Sequence, residues 1–181
     1  GRGTYYTDPT GRVNHVVTDY GPSSTPNADL NNPAPDTTYV VGDKHVFVTD
    51  HKARTSEVHI PNLERGDAAR SGTIQSSVGR AAGPGHDGGH LVANAMGGGR
   101  ERVNIVAMLE ELNRSGSRQY GRSANSFYKF EKYLLTAADR GADVSLDLYV
   151  TYGESRTPSK LQAEATIDGK PLDWKGNNVR R

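Results

Sequence analysis

The chain has 181 residues, a formal net charge of +1, 34% hydrophobic residues, 21 glycines, 9 prolines and no cysteine. That length suits one domain, or one domain with an irregular arm, and the glycine and proline content points to a loop-rich fold rather than a helical bundle. The lack of cysteine excludes a disulfide framework and a Cys-ligated zinc site, and no apolar run approaches the ~18 residues that would insert in a bilayer.

The chain opens on GRGTYYTDPT, which has neither an initiator Met nor the apolar core of a signal peptide. It reads as a piece of a longer protein whose targeting information lies elsewhere. Residues 4 to 20 predict one or two short strands around the turn DPTGR. Residues 21 to 37, rich in Pro, Asn and Ser, predict a loop or linker, and residues 38 to 50 a hairpin turning at Gly42 and Asp43. SEVHIPN predicts a further strand. After SVGRAAGPG, which ends at Gly85, the chain is too glycine-rich for a regular element to be expected until about Val103.

NIVAM is short and apolar, and LEELN opens a helix. A longer helix is predicted from Asn125 to Arg140, stopped by Gly141, with Phe127, Phe130, Leu134 and Ala137 on one face. VSLDLYVTYG alternates as a strand, and LQAEATIDGKPLDW as another, turning at Asp168 and Gly169. The class is α+β, with a loop-rich N-terminal part (1–64), a central part (65–140) and a C-terminal hairpin (141–181).

Charge is uneven. Residues 1 to 50 carry three Lys/Arg against six Asp/Glu, whereas Arg114, Arg118, Arg122, Lys129 and Lys132 cluster around a single acid, Glu131. The cluster is either a solvated face or the footprint of a polyanion.

The chemistry concentrates in GPGHDGGHLVANAMGGGRERVNIVAMLEELNR, residues 83 to 114. His86 and His90 are four apart, a helical spacing for two zinc ligands, but Pro84 and the glycines argue against a helix there. His90 alone is a candidate base: imidazole titrates near neutrality, and the glycines before it admit a ligand's backbone. Asn113 is either a helix cap or a neutral oxygen ligand for a hard cation such as Mg²⁺, and Asn104 shares that ambiguity. Glu131 flanks the apolar helix face, where a carboxylate requires an arginine or a hydrated metal.

Taken together, Asp87-Gly88-Gly89-His90, the turn Gly97-Gly98-Gly99, Asn104, Asn113, and the Phe127/Glu131 helix resemble the DNA/RNA non-specific endonucleases of the ββα-metal superfamily. The branch resembled is the one found at the C-termini of bacterial polymorphic toxins. The resemblance covers residues 65 to 140 and departs at two points. Gly88 stands where the D-R-G-H form has arginine, so Arg80, Arg100 or Arg102 would supply what that arginine does. The Asn113-to-Glu131 spacing is longer by an insert, SGSRQYGRSA.

The resemblance implies a ββα-metal core on an antiparallel sheet. It implies His90 as base, with Asn113 and, through water, Glu131 holding Mg²⁺ or Mn²⁺. It implies Arg80, Arg100, Arg102, Asn104 and Arg114 on the substrate, which is DNA, with RNA a second candidate. It implies an exported bacterial toxin domain acting in a target cell's cytoplasm, and an acidic immunity protein as partner, over a groove formed by Arg100, Arg102 and residues 114 to 132. The alternatives are a zinc hydrolase using His86 and His90, and a non-catalytic or degenerate nucleic-acid-binding module.

Overall fold

The structure is a computed structural model that describes residues 3–116, 121 and 125–180. Eight strands form one sheet in the order β1 (Thr4–Thr7), β2 (Val13–Thr18), β3 (Thr38–Val41), β4 (His45–Thr49), β5 (Thr55–Ile60), β8 (Val144–Tyr152), β9 (Pro158–Ile167) and β10 (Lys170–Asn177). Every neighbouring pair is antiparallel except β2 and β3, which run parallel. That exception follows from the connection: residues 19 to 37, including the short helix α1 (Ala28–Asn31), carry the chain back to begin β3 beside the start of β2.

The strands alternate as half-buried strands should. Val16, Tyr39, Val41, Phe47, Val58, Ile60, Leu146, Leu148, Leu161 and Ala163 point inward, with polar or part-exposed residues between them. The expected hairpin turns form where left-handed residues allow them: Gly42 and Asp43 at φ 63° and 54°, Asp168 and Gly169 at 49° and 77°.

Against this sheet lies a second layer: α2 (Gly72–Ala82), β6 (His86–His90), β7 (Ile105–Leu109), α3 (Glu110–Asn113) and α4 (Phe127–Asp139). β6 and β7 form a separate antiparallel pair, so the order β6, β7, then helix is the expected ββα arrangement. The apolar run of β7 is buried throughout. Asn178 fastens this layer to the sheet: it accepts from Leu109 N–H and donates to the carbonyls of Ala107 and Pro158. α4 starts at the Ser126 cap, whose hydroxyl accepts from Lys129 N–H, and buries Phe127, Phe130, Leu134 and Leu135. Phe127 and Phe130 pack on Trp174 of β10, with ring centroids 5.1 and 5.8 Å away.

Two elements stand where none was expected. α2 and β6 occupy the glycine-rich stretch, and they press together so closely that only glycine fits. A Cβ on Gly79 would lie 2.8 Å from the His86 carbonyl oxygen, and one on Gly88 would lie 2.2 Å from that of Gln75. The glycines that argued against regular structure are the condition for packing this helix on this strand.

Candidate active site

Each residue of Asp87-Gly88-Gly89-His90 has a separate task. Asp87 accepts from Asn113 Nδ2 at 2.9 Å and from Arg114 Nε at 2.7 Å, both at Oδ2, while Arg114 Nη2 donates to Oδ1. Because Nδ2 is committed to the carboxylate, Asn113 presents Oδ1 as its free end. Gly88 admits α2. Gly89 admits Asn113: a Cβ there would lie 2.9 Å from Asn113 Oδ1. His90 follows immediately, at the end of β6 opposite Ile105.

His90 Nε2 is sealed from bulk solvent and has no hydrogen-bond partner. Burial, then the positive charge of Arg70, push its pKa down to about 4. The ring is therefore neutral at pH 7, the protonation state a general base requires.

Glu131 of α4 is part-exposed as a residue, but its Oε1 is shut off from solvent and unpartnered. Burial raises its pKa well above the ordinary carboxylate value, and among the described residues no arginine or lysine is bonded to it. Of the two expectations for Glu131, the salt bridge does not form among the described residues. α4 packs on α3, the element that carries Asn113.

A cleft of about 430 Å³ runs along β6 and α2, lined by Gln75, Ser76, Arg80, His86, Asp87, Asn113 and Arg114. Arg80 and Arg114 are both exposed there. Arg114 is neutralised by Asp87, whereas no hydrogen bond or ion pair among the described residues engages Arg80.

Four sequence expectations are corrected. His86 and His90 lie on one face of a strand, about 13 Å apart at the rise of extended chain, too far to share an ion. Arg100 is 8% exposed and turned inward, its Nη1 and Nη2 donating to the carbonyls of Ser23 and Pro22. Asn104 is fully buried and clips the loop after His90: its Oδ1 accepts from Val92 N–H, and its Nδ2 donates to the carbonyls of Val92 and Gly99. Arg102 is exposed but lies on the other flank of α2, where it donates to Ser77 Oγ and lines a cleft of about 350 Å³ with Val78, Ala82, Tyr152 and Arg156. Arg100 and Arg102 therefore do not share the surface that carries Arg114. Arg118, Arg122 and most of the insert lie outside the described residues.

Sequence reasoning missed three contributors. Asp87 was read as part of a motif, not as the anchor of Asn113. Arg70, with Asn94, carried no signal beyond its charge. Glu101 is fully buried, and its Oε1 accepts from the backbone N–H groups of Gly21 and Asn27, tying the 19–37 connection to the glycine turn.

Among the described residues no group of three or more His, Asp or Glu could hold a metal. A closed cage of the structural-zinc kind is excluded there, while a hydrated ion on one or two oxygen ligands is not. The partnerless Glu131 Oε1 and the free Asn113 Oδ1 are hard oxygen donors and fit such an ion.

The family model for DNA/RNA non-specific endonuclease matches residues 35–169. The type VII secretion system protein EssD of Staphylococcus aureus, in strains USA300 and NCTC 8325, is 32% identical over 146 residues, which is 79% of this chain and 22% of EssD. The chain thus spans about a fifth of the length of the curated relatives it matches. Two crystal structures of NucA from Streptococcus agalactiae share the fold. The form with no metal bound has a TM-score of 0.56 at 16% identity, covering 85% of this chain and 76% of NucA. The form with magnesium bound has a TM-score of 0.53 at 17% identity, covering 75% and 72%. The chain belongs to the DNA/RNA non-specific endonuclease family.

Proposed function

We propose that the chain is a Mg²⁺-dependent, sequence-non-specific endonuclease in which His90 is the general base and Asn113 the protein ligand of the metal. The observation that carries this is the pairing of a neutral, partnerless His90 Nε2 with an Asn113 whose Oδ1 is kept free and held against the preceding residue. Water gives a proton to His90 Nε2, the hydroxide attacks phosphorus in line, and the P–O3′ bond breaks, leaving a 5′-phosphate and a 3′-hydroxyl after proton uptake by the leaving oxygen. A bound Mg²⁺, with Mn²⁺ a workable substitute, would neutralise charge on the phosphate and the leaving oxygen. Asn113 and, through water, Glu131 would hold it. The elevated pKa of Glu131 fits a carboxyl that is costly to ionise until a cation arrives.

Arg80 and Arg114 line the cleft beside Asn113 and take flanking phosphates. Contacts of that kind position a strand without reading bases, which suits DNA as substrate and RNA as a second candidate alike. Arg100 and Asn104 are assigned to the scaffold and Arg102 to the far side of α2.

We further infer that the chain is the toxin domain of a larger exported bacterial protein, acting in a target cell's cytoplasm and restrained by an acidic immunity protein. The likeness to a fifth of a type VII secretion system protein supports this, as does the hazard a non-specific nuclease poses to the cell that makes it. Expressing the wild-type domain and Asn113→Ala in bacterial cytoplasm tests both parts. Growth arrest with degraded chromosomal DNA is expected from the wild type alone. Normal growth from soluble wild-type protein would overturn the toxin reading, and equal toxicity of Asn113→Ala would overturn the metal assignment.

A further inference from the structure

The far flank of α2 carries a second cleft, of about 350 Å³, to which the cleavage chemistry assigns no task. Its floor is aliphatic, built from Val78 and Ala82 of α2 and from Ile105, Val106 and Ala107 of β7. Ile105 pairs with His90 across β6 and β7, so the cleft begins one strand away from the candidate base. Tyr152 also lines it, but the buried Arg54 covers the ring, its guanidinium carbon 4.5 Å from the ring centre. Arg54 is itself neutralised by Asp50.

Two exposed arginines line the cleft from different walls. Arg102 is held to α2, its Nη2 donating to Ser77 Oγ at 3.0 Å. Arg156, in the turn between β8 and β9, is held to the turn between β4 and β5: its Nη1 donates to the Lys52 carbonyl at 3.2 Å and its Nη2 to the Ala53 carbonyl at 3.4 Å. All three partners are neutral. Among the described residues no carboxylate pairs with Arg102 or Arg156, and no Asp or Glu lines the cleft. Glu154, in the same turn as Arg156, is paired with Lys52.

An inorganic anion has no use for an aliphatic floor, and a purely apolar ligand has none for two unneutralised guanidinium groups. A nucleotide uses both: base and sugar cover the floor, and a phosphate accepts from the arginines. The volume lies at the low end of the ~300–1,000 Å³ of small-ligand sites, which suits one nucleotide. A base inside a duplex reaches such a cleft only if it is extruded, at a cost in stacking and pairing.

We propose that this cleft is a subsite for one unpaired nucleotide of the substrate, with Arg102 and Arg156 on its phosphate, so that single-stranded nucleic acid gains a contact that duplex lacks. The inference rests on the endonuclease reading and names the form of its substrate. Aliphatic contacts read no base edge, so the subsite tolerates any base.

The test is equilibrium binding, by fluorescence anisotropy in EDTA, of an oligothymidylate and of a hairpin duplex of equal length. The proteins are wild type, Arg102→Ala, Arg156→Ala and Ala82→Phe, which fills the cleft without removing charge, each checked by thermal unfolding. Each arginine variant should weaken oligothymidylate binding about fivefold to tenfold, the loss of one hydrogen-bonded contact, and should lower the slope of log affinity against log salt by about 0.7. Ala82→Phe should weaken it at least as much, and duplex binding should stay within twofold of wild type throughout. Thymidine monophosphate should compete with the oligothymidylate better than inorganic phosphate does. Equal losses on duplex would show general surface charge and overturn the proposal, as would single-strand binding within twofold of wild type in Ala82→Phe. Binding of polyglutamate that is lost in these variants while oligothymidylate binding is kept would assign the cleft to an acidic protein segment and overturn it too. Should Ala82→Phe fail to fold, Ala82→Leu and the exposed arginines decide the matter. Binding is read without cleavage, so an enzyme inactive with Mg²⁺ would sink the endonuclease reading by a separate measurement.

Discussion

Replacing Gly89 with alanine probes the contact on which the proposed metal site depends. The backbone there is not left-handed, so the cost is steric alone. The new methyl would lie 2.9 Å from Asn113 Oδ1, 2.9 Å from Met108 Cβ and 3.0 Å from Met108 Cε. Met108 is fully buried and cannot retreat freely, and Asn113 is tied by its Nδ2 to Asp87. Relief therefore moves Oδ1 by several tenths of an ångström or strains the Asp87 bond. Overpacking of this kind costs about 1–3 kcal/mol of stability, and misplacing a reacting group by about 1 Å costs on the order of 10²-fold in rate. We expect Gly89→Ala to nick supercoiled plasmid about 10–100-fold more slowly and to need a higher Mg²⁺ concentration for half-maximal rate. Gly88→Ala is the control. Its methyl would meet Gln75 backbone atoms at 2.2 to 2.7 Å, so it should lose more stability, but its folded fraction should keep the wild-type Mg²⁺ dependence. A Gly89→Ala enzyme with wild-type half-saturation and cleavage within threefold of wild type would refute the claim that Gly89 exists to seat Asn113.

Three further outcomes follow from the same geometry. Glu101→Ala strands the half-buried N–H groups of Gly21 and Asn27 and should cost about 1–3 kcal/mol in denaturant unfolding, while the cleavage rate per folded molecule stays near wild type. Because the pKa of His90 is pushed down to about 4, kcat/KM should rise with pH through a limb near that value rather than near the ordinary 6.5 of imidazole; a limb centred near 6.5 would contradict the buried base. His45 is 3% exposed, its Nδ1 shares a hydrogen bond with Tyr20 Oη, and burial depresses its pKa to about 4 as well. The unfolded chain takes up that proton below about 6.5 and the native state does not, so stability should fall by about 1.4 kcal/mol per pH unit between those values for this group, read by urea unfolding at a series of pH values.

The chemistry of the site was legible in the sequence to the extent that single residues carry it. Of the residues that the sequence groups together, Asp87, Gly89 and Asn113 are in contact in the structure. α4 read correctly because its apolar face is strongly periodic. The failures have a common physical cause. α2 contains Gly72, Thr73, Ser76, Ser77, Val78 and Gly79, poor helix formers that fold only because β6 packs against them. β6 is His-Asp-Gly-Gly-His, with no strand propensity of its own, and takes its form from pairing with the apolar β7. Arg100, Glu101 and Asn104 show the same limit for polar residues. Local sequence says that a glycine turn is near, but not whether a side chain faces solvent or clips a buried loop. The N-terminal 64 residues fit the resemblance only loosely, yet they supply five of the eight strands of the sheet.

The central claim is that His90 is the base of a metal-dependent phosphodiester cleavage. It is tested most directly by single-turnover cleavage of one DNA duplex by wild type and His90→Ala, each with Mg²⁺ and with excess EDTA, on protein shown by circular dichroism to be folded. The account predicts cleavage by wild type with Mg²⁺ alone, and a rate at least about 10²-fold lower for His90→Ala. Cleavage by folded His90→Ala within threefold of wild type, or full wild-type activity in EDTA, would contradict it.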